Sequence, residues 1–168
     1  GVFDIQQFTC LWEIQVMDDY ISCLSPSTLN PSHVALCGND SSVYVIDINE
    51  HTILKGPEEK NVCSVAFSPL TNELTFAKTT GEVLIHHRTL SSTVSGIFAI
   101  AYSPDGKYLL STSNDGSVYL WDIEEDTATK LFTHQSNGRA VAFHPIFPNI
   151  AATGDFSGQI AVYDVLTK

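Results

Sequence analysis

Five short apolar segments recur along this chain at a period of about forty residues, and that repetition limits the possible folds more than any other feature. The segments close on the pairs Phe3-Asp4, Ile46-Asp47, His86-His87, Trp121-Asp122 and Tyr163-Asp164, with successive steps of 43, 40, 35 and 42 residues. A second landmark, a β-rich run ending in Pro, precedes each of the last four: Ile21 to Pro26, Val65 to Pro69, Ile100 to Pro104 and Val141 to Pro145. A period of this length marks an array of supersecondary units. Each unit is too small to bury its own faces and becomes stable by stacking on its neighbours.

Inside each repeat the signals are those of strands. Val34 to Cys37 and Val43 to Ile46 flank a polar turn over 38–42, and Leu109-Leu110 and Val118 to Leu120 flank Ser113 to Ser117, both reading as hairpins. Gly81, Gly116 and Gly158 each stand five residues before His86, Trp121 and Tyr163, where a tight connection needs a residue that tolerates positive φ. Ser41 holds that place in the first copy. Asn61 to Phe67 is nearly all small or apolar, as a strand covered on both faces requires. No stretch shows a helical period, so the expected class is all-β.

The third copy, Gly96 to Ile123, reads GIFAIAYSPDGKYLLSTSNDGSVYLWDI, and with it the chain resembles the WD-repeat β-propeller family over almost its whole length. The resemblance implies blades of four antiparallel strands, the third closing on Trp-Asp. The strands expected in the third blade are Ile97-Tyr102, Lys107-Ser113, Ser117-Asp122 and Thr129-Phe132. The repeat limits are expected at 17–56, 57–93, 94–133 and 134–168, with 1–16 ending a preceding blade whose outer strand runs from Gln7 to Gln15. That makes seventeen strands, with the last blade lacking its outer strand. Closed propellers have about four to eight blades, and about seven is common in this family. The chain is therefore expected to be part of a larger ring, its open blade faces completed by unseen residues or by another chain; the competing arrangement is a four-bladed ring in which Gln7 to Gln15 returns as the outer strand beside Ile160 to Asp164.

The family's best-formed blades hold a hydrogen-bonded tetrad of Trp, Ser or Thr, Asp and His. In the third copy Trp121, Ser111 or Ser113, and Asp115 or Asn114 match, but Thr93 stands at the histidine position; in the fourth, His134 and Thr153 match while Tyr163 replaces Trp. A network missing a member loses its benefit, so apolar packing is expected to dominate and His134 to be structural. Trp121 is expected to be buried between blades, its indole N–H satisfied within its own blade.

Charge and motif content narrow the function. With 19 Asp and Glu against 8 Lys and Arg, and only Arg88 and Arg139 as arginines, direct nucleic-acid binding is disfavoured and a basic protein segment is the expected charged partner. The acidic run Asp122, Glu124, Glu125 and Asp126 reads as a solvated loop. Cys10, Cys23, Cys37 and Cys63 lack zinc-ligand spacing; Cys23 and Cys37 fall on adjacent strands and could pair, but reduced core thiols are expected, as suits an intracellular protein. No metal or cofactor is implied, no membrane-length apolar run occurs, and no P-loop, Gly-x-Ser-x-Gly or His-Glu-x-x-His motif is found. The histidines, including His33, His51 and His144, read as repeat or surface positions.

Resemblance to WD-repeat proteins implies a non-catalytic scaffold that binds proteins or peptides on its faces within a multi-subunit complex. The alternative, a propeller glycoside hydrolase of the sialidase kind, is disfavoured because that family needs three arginines and Asp-box turns. Position in the family repeat gives the partner-binding candidates: Gly96 and Phe98, Asn137 and Arg139, Asn61 and Cys63, the turn residues Asn39, Asn114 and Asp155, and Tyr20. Phe98 and Arg139 have the residue types that dominate interface energies, although Phe98 could equally pack between blades.

Overall fold

The structure, a computed structural model, describes residues 2–4, 9–18, 20–38, 42–56, 59–85, 88–91 and 96–167. Seventeen strands and no helix occur among them. After a two-stranded sheet, β1 (Val2–Asp4) with β2 (Thr9–Trp12), come four antiparallel blades in chain order. The first contains β3 (Ile21–Pro26), β4 (His33–Gly38), β5 (Val43–Asp47) and β6 (Thr52–Lys55), and the second β7 (Val62–Phe67), β8 (Leu74–Lys78), β9 (Glu82–Ile85) and β10 (Arg88–Ser91). The third holds β11 (Ile97–Tyr102), β12 (Tyr108–Ser113), β13 (Ser117–Asp122) and β14 (Thr127–Thr133); the last is three-stranded, β15 (Gly138–Phe143), β16 (Ile150–Asp155) and β17 (Ile160–Asp164). The arrangement is a β-propeller, with the spatial order of each blade following the chain.

The third blade has the expected order, with β12 starting at Tyr108 instead of Lys107 and β14 extending the expected outer strand at both ends. The strand expected over Gln7 to Gln15 is shorter: it pairs only as β2, residues 13–15 form no strand, and Gln7 and Phe8 lie outside the described residues. His86, His87, Thr93, Ser41 and the candidate Asn39 also lie outside them. Gly81, Gly116 and Gly158 take the left-handed backbone anticipated for their turns, with φ of 92°, 80° and 90°.

The hydrophobic cores lie between blades. Ala35, Cys37 and Val43 of the first blade meet Val62, Val65, Phe67 and Phe76 of the second. Val83, Ile85 and Ala77 meet Ile97, Ile100, Leu109 and Trp121 at the next junction, and Leu110, Val118 and Leu120 meet Ala151 and Val165 at the last. Strand alternation explains this: Leu109 and Leu110 are neighbours in sequence and point to opposite faces, each filling a different core. Trp121 is 1% exposed, and its indole N–H donates to Ser111 Oγ at 2.8 Å.

The outward faces of the end blades are less covered. Leu24 on β3 and Ile160 and Val162 on β17 are exposed at 61%, 75% and 69%. Ala140 and Ala142 of β15 are exposed on the same last blade.

The fourth blade departs from the expected reliance on apolar packing. His134 Nε2 lies 2.8 Å from Thr153 Oγ1, which lies 2.9 Å from the Tyr163 hydroxyl, so Tyr163 completes the polar chain that a tryptophan would otherwise close. His134 Nδ1 faces Gln159 Oε1 at 3.3 Å and Asp155 Oδ2 at 3.9 Å, and the imidazole is fully buried. A phenol reaches as far across the sheet as an indole and carries an O–H for the same partner.

Candidate functional site

Each inner strand breaks its register once, and always at the same place. The ladder slips between Ile21 and Cys23 in β3, Val62 and Ser64 in β7, Ile97 and Ala99 in β11, and Gly138 and Ala140 in β15. The extra residue at each slip is Ser22, Cys63, Phe98 or Arg139. A bulge leaves its extra residue unpaired and re-aims the side chain. All four point into one cavity of about 400 Å³, whose remaining walls are Tyr20, Gly38, Val62 and Thr79.

The chemistry of this cavity is uneven. Arg139 stacks its guanidinium on Phe98, with Cζ 4.1 Å from the ring centroid, and approaches Phe156 at 5.4 Å. Stacking on an aromatic face orients a guanidinium without using its N–H donors. No carboxylate pairs with Arg139 among the described residues, whereas Arg88 is paired to Asp126 at 2.5 Å. On the opposite wall Ser22 Oγ lies 3.2 Å from the carbonyl oxygens of both Cys37 and Cys63, tying the first blade to the second. Burial, and then the neighbouring Cys23, push the Cys63 thiol up to about 12. That thiol donates to the carbonyl oxygens of Ala77 and Ile97 at 3.2 Å and 2.5 Å, so it is a wall and not a nucleophile.

Four sequence candidates, Tyr20, Cys63, Phe98 and Arg139, therefore line one cavity. Three others form a separate cluster beside it: Asn137 Nδ2 donates to the Asn114 carbonyl oxygen at 2.8 Å and to its side-chain oxygen, and Asn114 N donates to the Gly96 carbonyl oxygen at 2.8 Å. Asn61 and Gly96 precede equivalent inner strands with left-handed φ of 61° and 50°. Asp155 is engaged by its own turn, accepting from Ser157 N, Ser157 Oγ and Gln159 N at 3.0, 2.8 and 2.9 Å and from Ser136 N at 3.2 Å. Burial alone would raise its carboxyl, but these hydrogen bonds outweigh it and hold the group below the ordinary carboxylate range.

Sequence reasoning missed Ser22, Thr79 and Phe156. Ser22 has a signal in hindsight, since it is one residue past the start of an inner strand, as Cys63, Phe98 and Arg139 are in theirs. Thr79 and Phe156 stand in turns after second strands, and nothing in their type marks them.

Comparison with known proteins adds a family to this geometry. The family model "WD domain, G-beta repeat" matches residues 84–122, the stretch that ends on Trp121-Asp122. The chain carries a WD repeat there, and over a longer stretch it is similar to WD-repeat proteins. Its WD-repeat relatives include the Drosophila persimilis protein "WD repeat-containing protein 55 homolog", 26% identical over 119 residues, covering 66% of this chain and 24% of that protein. The "Meiotic recombination protein rec14" of Schizosaccharomyces pombe is 28% identical over 153 residues, covering 84% of this chain and 50% of that protein. Bos taurus "WD repeat-containing protein 1" is 32% identical over 83 residues, 44% of this chain and 14% of that protein. The chain thus spans half or less of the length of these curated relatives. Among solved structures, the computationally designed Ika4 protein shares the fold at a TM-score of 0.69 and 23% identity, covering 91% of this chain and 96% of that one. WD-repeat propellers are in general protein-interaction scaffolds, and the sialidase alternative is not favoured: one arginine reaches this cavity where that family uses three.

Proposed function

We propose that this chain is a non-catalytic recognition platform within a multi-subunit complex, and that it binds a peptide segment of a partner protein in the cavity closed by Ser22, Cys63, Phe98 and Arg139. The observation that carries the reading is the convergence of four bulge side chains, one per repeat, on a single concavity. Phe98 supplies an aromatic anchor, and Arg139 offers a guanidinium whose donors suit a carboxylate of the bound segment. The net charge of −11 favours flanking Lys and Arg in that segment and disfavours nucleic acid or an anionic membrane surface. Asn61, Asn114, Asn137 and Gly96 form the rim of this face, and the repeats expected at 17–56, 57–93, 94–133 and 134–168 are its units. The exposed faces around Leu24 and around Ile160 and Val162 pack against further blades, from the same protein or another chain, inside the cell.

The test is selection of binders from a displayed peptide library, followed by affinity measurement on Phe98→Ala and Arg139→Ala. Each variant is expected to lose about tenfold or more in affinity while the melting temperature moves little. Selected peptides that bind both variants as tightly as the unaltered chain would overturn the assignment.

A further inference from the structure

Cys23 on β3 and Cys37 on β4 are direct cross-strand partners. Opposed residues of an antiparallel pair share a face and hold their Cα atoms about 4.5–5.5 Å apart. That lies inside the roughly 4.4–6.8 Å that a disulfide spans. Both thiols are free in the structure. Their exposures differ in a useful way: Cys23 lines an axial groove of about 580 Å³, whereas Cys37 is fully buried behind it.

The surroundings divide the labour between them. As a thiol Cys23 donates to the Val65 carbonyl oxygen at 3.4 Å; as a thiolate its sulfur accepts from the Cys37 thiol and from Ser64 Oγ, the latter at 3.4 Å from the next blade. The hydrogen bond from Cys37 is the largest influence, and with Ser64 it outweighs burial and brings Cys23 down to about 6. The same contact, together with burial, pushes Cys37 up. The reachable sulfur is thus the readier of the two to ionise and the sheltered one the readier to keep its proton, while the Cys63 thiol faces neighbouring carbonyl oxygens.

We propose that Cys23 and Cys37 form a thiol-oxidation site that takes a hydroperoxide and closes to a cross-strand disulfide. The Cys23 thiolate attacks the peroxide, an S–O bond forms and the O–O bond breaks, and the departing oxygen leaves as hydroxide or alkoxide and takes a proton from water. Cys23 is thereby oxidised by two electrons to a sulfenic acid, and the peroxide is reduced. Cys37 then attacks the Cys23 sulfur as the S–O bond breaks. Its proton leaves with the hydroxide as water, and a cellular thiol reverses the bond by exchange.

The experiment treats the full chain with hydrogen peroxide, blocks remaining thiols with iodoacetamide and digests it without reductant for mass spectrometry. A Cys23–Cys37 linked peptide, lighter by two hydrogens and restored by dithiothreitol, is expected. In Cys37→Ser the Cys23 sulfenic acid is expected to be trapped by dimedone. Because substitution of a buried residue risks unfolding the blade, a second measurement uses the unaltered chain: iodoacetamide alkylation of Cys23 is followed against pH. Its midpoint is expected near 6, against about 8.5 for free cysteine. The midpoint is read, and not the rate, because a thiolate of low pKa is also a weaker nucleophile. Absence of the linked peptide, or a Cys23 midpoint at or above that of free cysteine, overturns the proposal.

Discussion

The hydroxyl of Tyr163 lies 2.9 Å from Thr153 Oγ1, and through it reaches the buried imidazole of His134. The same place in the neighbouring blade is held by the Trp121 indole on Ser111. Two different side chains thus serve one structural position, one through an indole N–H and the other through a hydroxyl that can donate or accept.

Removing that hydroxyl gives the first prediction. Tyr163→Phe should cost about 1–2 kcal/mol, and Thr153→Val, which leaves His134 Nε2 without its partner, about 1–3 kcal/mol. Denaturant unfolding of both and of the double variant should reveal a coupling of about 0.5 kcal/mol or more. Strict additivity would show that the contact contributes nothing as a network.

Gly116 and Gly158 occupy equivalent turns yet should respond differently to alanine. Both need positive φ, a strain of about 1–2 kcal/mol for any other residue. At Gly116 a Cβ would also stand 2.6 Å from the His134 carbonyl oxygen, whereas at Gly158 nothing lies within 4 Å. Gly116→Ala should therefore lower the melting temperature clearly more than Gly158→Ala. Equal losses would mean that backbone strain is the whole effect.

Trp121 joins the second and third blades, and Trp121→Ala should cost about 3–5 kcal/mol through the cavity it leaves. Ser111→Ala isolates the polar part, orphaning the indole N–H at about 1–3 kcal/mol. Chemical denaturation monitored by circular dichroism distinguishes the two, and an unchanged midpoint for Trp121→Ala would contradict the junction described above.

Acid should loosen the turns that close the third strands. Asp47 accepts from Glu50 N and Asn49 N at 3.0 and 2.9 Å, and Asp164 from Leu166 N and Thr167 N at 3.1 and 3.4 Å. These bonds, led by Glu50 N for Asp47 and by Leu166 N for Asp164, hold both carboxyls below their ordinary value. A depressed folded-state pKa means stabilisation that is fully present above the unfolded value, about 3.9, and is lost as pH falls through the folded one. The melting temperature should therefore fall below about pH 4, and Asp47→Asn with Asp164→Asn should flatten that part of the curve. A doubly substituted chain that keeps the full acid sensitivity would refute the assignment.

Much of the fold was legible because a period near forty residues leaves few alternatives, and because the Pro-terminated runs and the turn glycines locate strands independently. The tetrad of the fourth blade was not, since a Tyr at the tryptophan position reads as a missing member although its hydroxyl reaches the same threonine. At the candidate site, Phe98 and Arg139 were legible one by one from their place in the repeat. Their stacking was not, because it depends on how far two neighbouring blades are rotated. The bulges were hidden for a different reason: a register slip of one residue leaves the composition of a strand unchanged and shows only in the pairing.

Those slips have a consequence for how such a surface can diversify. Ser, Cys, Phe and Arg occupy one geometric station in four successive blades, and none of the four is held to its type by the sheet ladder, which passes it by. The propeller therefore works as a rotary dial whose four settings are written in single codons. Replacing Phe98 or Arg139 rewrites what the mouth of the dial accepts, whereas Ser22 and Cys63 also hold carbonyl oxygens of the next blade, so a change at either of these two reaches the junction as well.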